Sequence, residues 1–516
     1  MLLKLPDQHR HPQLFYAPLI RIRAAIFALG AISALGFEPW SLWPVTLVSL
    51  TLLLRHAGGA RSWRQAAGAG WWFGLGLGCA SLTWLAHAFT FQAAMPQWLG
   101  WPAVALLAAY TAGYWALSLG AASAVSRTSG PAGFALASAA TFILAEWLRG
   151  VLLTGFPWNP LGVIWLPLGE MARSAAVIGA LGLSGVTIAI AGLLAAITRR
   201  DGVTAMLLAP AVVVLTLALA GPRSAPDTDV PIRLVQGNID QADKWRPGQA
   251  MAQVERYRSL SGPPGTTATP RLVFWPEAAI IEPLDADPVL RSRAASVLGP
   301  RDLLFTGATG EAGDGRYTNS VFVLDAAGRL LGRYDKAQLV PFGEYLPFAG
   351  LLERLGAARL VPGEADFVPG PGPQTLDIDG LRLGISICYE IVFPSTVIDR
   401  SHRPAFLFNP SNDAWFGKGG PEQHLAQARM RAIEQGLPVI RATSTGRTAV
   451  IRADGTIAAS LPAHEAARLD TVLPASNPAT IFSRWGSVPQ MGAAIVMLAT
   501  LLLRRQQHGR ASRRRL

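Results

Sequence analysis

The chain has 516 residues, which is enough for two or more domains. Its composition, 51% hydrophobic and only 15% charged, is too apolar for a single soluble body and predicts several membrane spans. The net charge of +12 does not indicate nucleic-acid binding, because the excess lies in short basic clusters beside apolar runs, a pattern of membrane topology. These clusters are Arg21 and Arg23, Arg199 and Arg200, and the tail residues Arg504, Arg505, Arg510, Arg513, Arg514 and Arg515.

Apolar runs divide the chain into a membrane part, a polar part and a last span. A span needs about 20 residues. We expect seven spans in an N-terminal membrane domain at 1–221 and an eighth at 488–504, followed by a basic tail at 505–516. The run after Arg21 and Arg23 has no convincing cleavage site, so a cleaved signal peptide is not expected. The seven N-terminal spans are predicted at 22–36, 40–54, 66–87, 101–125, 131–148, 172–197 and 203–220.

Positive charge predicts the side of the membrane that each part occupies. With seven spans before the polar part, the N-terminus, the loop at 55–64 and the C-terminal tail share one side and carry most of the arginines. The loop at 88–100, on the other side, has no Lys or Arg. Because cytoplasmic loops are enriched in Lys and Arg, we expect both termini in the cytoplasm and the polar part outside it, in a periplasm or its equivalent.

The polar part, at 230–482, has the pattern of an α/β domain. Strand-like runs alternate with helical ones, which favours layers of sheet and helix. Two hairpin-like returns, at 323–329 and 450–456, predict that antiparallel pairs are mixed in. The predicted strands are Ile232–Ile239, Arg271–Trp275, Leu303–Gly307, Ser320–Leu324, Leu383–Cys388, Ala405–Asn409 and Val439–Ala442, and the predicted helices are Gln249–Leu260, Pro288–Leu298 and Glu422–Gln435.

Cys388 closes the apolar run Leu383–Cys388 and is followed by Tyr389 and Glu390. A thiol that ends a buried strand beside ionisable groups is a candidate nucleophile. The alternative is a small core side chain, which is what most free cysteines are. The other cysteine, Cys79, lies inside an apolar segment, so we expect no bridge between them and a free thiol at Cys388.

Two further polar residues, Glu277 and Lys336, also close apolar runs. A thiol needs a base to take its proton and a positive charge to stabilise the negative charge that develops. A carboxylate supplies the first, and an ammonium supplies the second and can stabilise an oxyanion. The alternative is a surface ion pair, the commoner fate of a single Glu or Lys.

The sequence motifs around these three residues resemble those of the nitrilase (carbon–nitrogen hydrolase) superfamily and, within it, those of the apolipoprotein N-acyltransferases of bacterial inner membranes. The resemblance extends over about residues 22–505. It rests on Trp275-Pro276-Glu277, Leu339-Val340-Pro341-Phe342-Gly343-Glu344, Ile387-Cys388-Tyr389-Glu390, Ser411-Asn412-Asp413-Ala414-Trp415-Phe416-Gly417, Val235-Gln236-Gly237-Asn238-Ile239 and, in the membrane part, Glu146-Trp147-Leu148-Arg149-Gly150 with Gly155-Phe156-Pro157-Trp158.

The resemblance implies an α/β domain of the αββα sandwich type attached to a polytopic helical membrane domain. It also implies a Glu277–Lys336–Cys388 triad, with Cys388 as nucleophile, Glu277 as general base and Lys336 as oxyanion stabiliser. Glu344 matches the family's second essential glutamate, expected to support Lys336 and the tetrahedral intermediate.

Further residues match supporting positions of the family. Tyr389 and Glu390 match the pair after the nucleophile, and the Tyr389 backbone N–H is a candidate second oxyanion donor. Trp245 matches a tryptophan on a mobile arm near the site. The family usually has His before Leu-Val-Pro-Phe-Gly-Glu; Gln338 stands there in this chain, which excludes an imidazole at that position.

The implied reaction moves an acyl chain, most often from the sn-1 position, from a phospholipid to Cys388 as a thioester. The α-amine of a diacylglyceryl-cysteine at an apolipoprotein N-terminus then takes the chain, in a ping-pong sequence. The implied partners are thus a phospholipid donor and a diacylated apolipoprotein acceptor, at the inner membrane, with the protein as a monomer. No metal-ligand cluster or phosphate loop occurs in the sequence, so no cofactor is predicted.

A lid and an acyl channel need apolar side chains, because acyl transfer requires exclusion of water from the thioester. Candidates are Phe342, Trp415 and Phe416, for which packing or anchoring at the membrane surface is an equal alternative. The residues of the membrane-domain signature that are candidates for substrate contact are Glu146, Arg149 and Trp158.

Two other functions fit parts of the pattern. A membrane-tethered amidase or nitrilase would use the same triad with water as acceptor. A transporter with an outer binding domain would need more ionisable residues in its spans than Glu38 and Glu146.

Overall fold

The computed structural model describes residues 13–91, 96–197, 202–244, 248–265, 269–313, 315–347, 350, 354 and 367–513. Each of the eight predicted spans overlaps a helix. The helices of the N-terminal part are α1 (Gln13–Ser33), α2 (Trp43–Ala57), α3 (Trp63–Ser81), α4 (Gly100–Val125), α5 (Gly130–Val151), the short α6 (Gly169–Arg173), α7 (Ala175–Ile197) and α8 (Gly202–Ala218).

Five helical segments in the described part of the chain are long and apolar enough to cross a membrane. The helices α2 and α8 have only 15 and 17 residues, fewer than the usual length of a span. The predicted span at 66–87 is wrong at its end, because α3 stops at Ser81 and a 3-10 helix, Thr83–Thr90, follows. The five segments are Leu19–Gly36, Gln97–Val125, Gly130–Thr154, Ala175–Ile197 and Val488–Gln507.

The helices α3 and α4 pack closely because α3 presents a row of glycines to its neighbour. A Cβ atom on Gly70 would lie 2.4 Å from the backbone oxygen of Trp115, and one on Gly78 would lie 2.8 Å from Ala108. Helices without a hydrophobic force between them associate through such small residues. The helix α7 lies at the centre of the bundle, and most of its length is buried.

The polar part contains two six-stranded sheets, with strand orders β12-β1-β2-β3-β4-β5 and β11-β10-β9-β8-β7-β6. Strands β1–β3 run parallel, as do β7–β9, and the predicted hairpins are the antiparallel pairs β4–β5 and β10–β11. The strands are β1 (Pro231–Gln236), β2 (Leu272–Pro283), β3 (Leu303–Gly313), β4 (Arg316–Leu324), β5 (Leu330–Asp335), β6 (Thr375–Ile378), β7 (Leu381–Ile385), β8 (Phe406–Ser411), β9 (Val439–Thr443), β10 (Ala449–Ile451), β11 (Ile457–Ser460) and β12 (Ala467–Val472).

The two sheets face each other across one apolar core. The Phe274 ring of β2 lies 4.9 Å from the Phe408 ring of β8, centroid to centroid. Helices cover the outer faces, which matches the predicted αββα sandwich. These helices are α9 (Gln241–Lys244), α10 (Ala250–Ser261), α11 (Pro288–Ala295) and α12 (Gly420–Gln435). The chain ends with α13 (Ile481–Trp485) and α14 (Val488–Arg513), which pack against the bundle.

Helix α12 joins the two parts of the molecule. Leu425 and Ala432 pack under the second sheet. Ala426, Met430 and Ile433, which lie on a different side of the same helix, belong to the core of the membrane bundle. The α/β domain therefore rests on the bundle through a shared helix.

Candidate active site

Cys388 lies in a short turn that follows strand β7 of the second sheet. The predicted strand Leu383–Cys388 is wrong at its end: β7 stops at Ile385, and Cys388 begins a 3-10 turn, Cys388–Val392. The strand stops there because the Glu390 carboxylate accepts the Ile387 N–H at 2.7 Å, so this N–H no longer serves a sheet. Cys388 has a left-handed backbone (φ +51°) and is buried.

Glu277 lies at an irregularity inside β2 and not at the strand's end as predicted. The pairing of β2 with β3 shifts register between Trp275 and Ile280, and Ala278 has φ +47°. Such a bulge turns one side chain away from the regular alternation. The turn is possible because Gly307 on β3 leaves room: a Cβ there would lie 2.5 Å from the Pro276 oxygen and 2.6 Å from the Glu277 Cα.

Glu277, Lys336 and Glu344 meet in one hydrogen-bonded group. The Lys336 Nζ donates to Glu344 Oε1 at 2.9 Å and lies 3.2 Å from Glu277 Oε1. The Asn319 amide donates to the same two oxygens, at 2.8 Å each. The second Glu277 oxygen accepts the Asn412 backbone N–H at 2.7 Å. Glu344, Asn319 and Asn412 thus fix the orientation of the Glu277 carboxylate and the Lys336 ammonium, which also contact each other.

The hypothesis of a surface ion pair is wrong, because Glu277 is 5% exposed and Lys336 is 1% exposed. Burial acts to raise the pKa of Glu277, but Lys336, Asn319 and Lys244 outweigh it and hold that pKa below its usual range. Burial acts to lower the pKa of Lys336, but Glu277 and Glu344 outweigh it and raise that pKa. Glu277 is therefore ionised and Lys336 is protonated at neutral pH.

Burial and the charge of Glu277 raise the pKa of the Cys388 thiol well above its usual value, against the opposing effect of Lys336. The resting site therefore pairs a protonated thiol with an ionised carboxylate. A base of this kind can take the proton as the sulfur attacks, which is general base catalysis.

Glu390 connects the turn of Cys388 to the segment that follows Lys336. Its Oε1 accepts the backbone N–H groups of Ala337 and Gln338 at 2.7 and 3.1 Å, and its Oε2 accepts that of Ile387. The Tyr334 hydroxyl donates to both oxygens. Glu390 is buried and holds the two segments in one relative position.

A second buried lysine, Lys244, lies at the site and was not among the predicted residues. Its Nζ donates to the Glu277 backbone oxygen at 3.1 Å and to Ser444 Oγ at 3.4 Å. Burial lowers the pKa of Lys244 to about 8, against the opposing charges of Glu277 and Cys388. The only sequence signal that places Lys244 at the site is its position shortly after the family-like segment Val235–Ile239. Without that signal, a Lys on a short helix is expected at the surface.

The aromatic lid candidates occupy different environments. Trp415 lines a cleft together with Glu277, Asn319 and Glu344. The Phe416 ring packs edge-on against Trp84, 4.8 Å away, so it belongs to the packing between domain and bundle. Phe342 is 49% exposed. Trp245 lies outside the described residues.

Glu146, Arg149 and Trp158 form a separate group that lines a cavity between the membrane helices. Arg149 donates to Glu146 Oε1 at 3.2 Å and to the Trp158 oxygen at 2.8 Å. The Trp158 indole N–H donates to Gln423 Oε1 of α12 at 2.9 Å.

The Tyr389 hydroxyl donates to the Gly155 oxygen at 3.3 Å. The group touches the α/β domain but does not contact Glu277 or Lys336 in any described hydrogen bond.

No group of three or more His, Cys, Asp or Glu side chains suited to a metal ion occurs among the described residues. Both cysteines are free thiols.

The fold and the buried Glu–Lys–Cys arrangement define the α/β domain as one of the carbon–nitrogen hydrolase class, and the Carbon-nitrogen hydrolase family matches residues 232–473. The Apolipoprotein N-acyltransferase N-terminal domain matches residues 29–193. The chain belongs to the apolipoprotein N-acyltransferase family, which confirms the predicted resemblance, fold class and enzyme class: it is a bacterial membrane protein and an acyltransferase.

The family assignment rests on full-length similarity. The chain is 35% identical to an apolipoprotein N-acyltransferase of Rhodopseudomonas palustris, over 94% of this chain and 96% of that protein. It is 36% identical to one of Bradyrhizobium diazoefficiens, over 93% and 94%. Solved structures that it resembles include an amidase of Nesterenkonia sp. AN1 from the nitrilase superfamily, with 20% identity, a TM-score of 0.36, and coverage of 49% of this chain and 94% of that one.

Proposed function

We propose that this chain acylates the α-amine of the N-terminal diacylglyceryl-cysteine of apolipoproteins, using a phospholipid as donor and Cys388 as a covalent carrier. The observation that carries the proposal is the buried group of Glu277, Lys336 and Glu344 beside the Cys388 thiol. The full-length similarity to enzymes named apolipoprotein N-acyltransferase supports the acceptor class.

In the first half-reaction, the Cys388 sulfur attacks the sn-1 ester carbonyl while Glu277 takes the thiol proton. The Lys336 ammonium and the Tyr389 backbone N–H stabilise the oxyanion of the tetrahedral intermediate. The intermediate collapses to a thioester, and the leaving lysophospholipid oxygen takes the proton back from Glu277. Glu344 and Asn319 keep Lys336 and Glu277 in place.

In the second half-reaction, the neutral α-amine attacks the thioester carbonyl, and Glu277 takes the proton that the nitrogen loses. The C–S bond breaks, the amide is released, and the sulfur regains a proton from Glu277. The lysophospholipid must leave before the acceptor attacks, so the kinetics are ping-pong.

We further propose that the α/β domain faces the periplasm, that both termini are cytoplasmic and that the protein acts as a monomer. The distribution of arginines supports this orientation. A reporter that is active only outside the cytoplasm, fused after residue 230, should be active; activity of a cytoplasm-only reporter at the same position would reverse the orientation.

The deciding experiment incubates the purified protein with phospholipid and a diacylated lipopeptide and measures product masses. Triacylated lipopeptide and lysophospholipid are expected, together with an acyl-thioester on the wild-type protein that Cys388→Ala lacks. Release of free fatty acid with no triacylated product would instead favour the alternative, a membrane-tethered hydrolase with water as acceptor. Normal acyl loading of Cys388→Ala would remove the nucleophile assignment.

A further inference from the structure

A buried histidine holds the backbone of the nucleophile. His424, on α12, lies 36 residues after Cys388 in the chain, and its Nε2 lies 3.0 Å from the Cys388 carbonyl oxygen. His424 is fully buried. Because a carbonyl oxygen only accepts hydrogen bonds, Nε2 must carry the proton and donate it.

The other ring nitrogen faces a buried ion pair. Arg441 NH2 lies 3.1 Å from His424 Nδ1 and 2.8 Å from both oxygens of Asp413. Asp413 Oδ1 also lies 3.1 Å from His424 Nδ1. Arg441 has only N–H donors, so its guanidinium donates both to Asp413 and to an unprotonated Nδ1, and the imidazole is then neutral. Burial and the charge of Arg441 lower the pKa of His424, against the opposing effect of Asp413. The three side chains are 0–2% exposed.

The contact with the Cys388 carbonyl has a geometric consequence. A trans peptide group is planar, and the carbonyl of Cys388 and the N–H of Tyr389 belong to the same group. The two therefore point in opposite directions within one plane. Tyr389 is the second residue of its 3-10 turn, and N–H groups at the start of a helix have no partner within it. Fixing the carbonyl against His424 therefore directs the Tyr389 N–H away from α12.

We infer that His424 is a positioning residue, which fixes the Cys388–Tyr389 peptide so that the Tyr389 N–H serves as the second oxyanion donor. Arg441, held by Asp413, donates to Nδ1 and so favours the Nε2–H tautomer. The inference deepens the proposed function, because it assumes that acyl groups pass through a tetrahedral intermediate on Cys388. The Asp413–His424–Arg441 group shares no residue with the Glu277–Lys336–Glu344 group.

The test compares His424→Gln with His424→Met. The two side chains have nearly the same shape, and both lose the ring contact with Trp158, 5.5 Å from centroid to centroid. Only Gln carries an N–H at the position of Nε2. A histidine needed only for packing would be missed equally in both variants.

The readout is the burst of nitrophenolate when a p-nitrophenyl acyl ester loads Cys388, which does not depend on a phospholipid donor or a lipopeptide acceptor. Loss of one oxyanion donor costs about 10²–10³-fold in rate. We expect His424→Met to load at least about 100-fold more slowly than wild type and His424→Gln to recover most of that rate. Alkylation of Cys388 by iodoacetamide forms no oxyanion and should be unchanged in both variants.

Equal loading by the two variants, or a parallel fall in alkylation and loading, would overturn the inference. If phospholipid-to-lipopeptide transfer fails in wild type while the ester burst follows this pattern, the proposed function fails and the inference stands. For the case in which His424→Met does not fold, histidine-selective ¹⁵N NMR of the wild-type protein gives an independent result. His424 should be the neutral Nε2–H tautomer, and an Nδ1–H tautomer would contradict the inference.

Discussion

Cys388 carries its thiol on a backbone conformation that an L-residue adopts at a cost of about 1–3 kcal/mol. Two contacts outside the residue hold that conformation. On one side the Ile387 N–H is bonded to Glu390, and on the other the Cys388 carbonyl faces His424. The direction of the sulfur is therefore determined by Glu390, two residues further along the chain, and by His424, which is distant in sequence.

At the residue scale, Glu277→Gln should separate the acidity of the thiol from its reactivity toward esters. Because the charge of Glu277 raises the pKa of Cys388, the neutral amide should shift the midpoint of the pH–alkylation curve to lower pH. Acyl loading should nevertheless fall about 10²–10⁴-fold, since the proposed general base is lost. Both are measured in a Cys79→Ser background so that only one thiol reacts.

The control for this prediction is Cys388→Ser in the same background, which should not be alkylated. A midpoint that moves to higher pH in Glu277→Gln would mean that the carboxylate stabilises the thiolate through a hydrogen bond more than it repels it.

Glu390→Gln should destabilise the turn around Cys388. The amide has one oxygen where the carboxylate uses two as acceptors, so its NH₂ group faces at least one of the donor N–H groups of Ala337, Gln338 and Ile387. A buried unsatisfied group costs about 1–3 kcal/mol. Thermal unfolding in detergent should show a lower Tm, and acyl loading should fall with it.

Tyr334→Phe is the matched variant, because it removes one donor to Glu390 and leaves the three backbone N–H groups. Its Tm should fall by less than half as much. If Tyr334→Phe is the more damaging of the two, the phenol and not the carboxylate holds the two segments together.

At the scale of elements, the bulge in β2 and the glycine opposite it act as one unit. Gly307→Ala would place a Cβ 2.5 Å from the Pro276 oxygen, so β2 must move and Glu277 with it. Overpacking costs about 1–3 kcal/mol, and a misplacement of about 1 Å costs about 10²-fold in rate. Acyl loading should thus fall far more than the Tm suggests.

The control is Gly332→Ala on β5, where the nearest atoms are the ends of the Leu376 and Ile378 side chains, at 3.2 and 3.3 Å. These can shift by a few tenths of an ångström, so near-normal loading is expected. Equal losses in both variants would show that the sheet as a whole, and not the bulge, is sensitive.

The residues of the candidate site differ in how far the sequence alone could predict them. Apolar runs that end in Glu277, Lys336 and Cys388 made these three residues candidates, because polar groups at the ends of buried strands are costly without a partner. The proposed triad itself came from the family resemblance. The bulge at Ala278 could not be predicted, since it depends on Gly307 of another strand. Lys244 also comes to the site through tertiary packing alone.

At the scale of the whole molecule, the bundle and the α/β domain are joined by buried polar contacts on α12. Gln423 Oε1 accepts the Trp158 indole N–H and the Asn159 amide, at 2.9 Å each. The Ala180 N–H donates to Glu434 Oε1 at 2.7 Å. The two parts therefore share hydrogen bonds as well as apolar surface.

Gln423→Leu should leave both of those donors without an acceptor in a buried interface. The expected loss is about 1–3 kcal/mol per unsatisfied group, seen as a lower Tm of the full-length protein in detergent. Glu422→Gln, at the neighbouring position, breaks only a part-exposed pair with Arg447 at 3.5 Å. It should change the Tm little. Similar Tm values for both variants would mean that the domain is held by apolar contacts alone.

Helix α12 meets three neighbours at once: the Cys388 turn through His424, the bundle through Gln423 and Met430, and the second sheet through Leu425. Each residue advances a helix by about 100°. Inserting or deleting a single residue within Gln423–Glu434 would rotate one set of contacts away while the other stayed in place. Natural variation in chain length should therefore be excluded from this helix and tolerated in the connections around it.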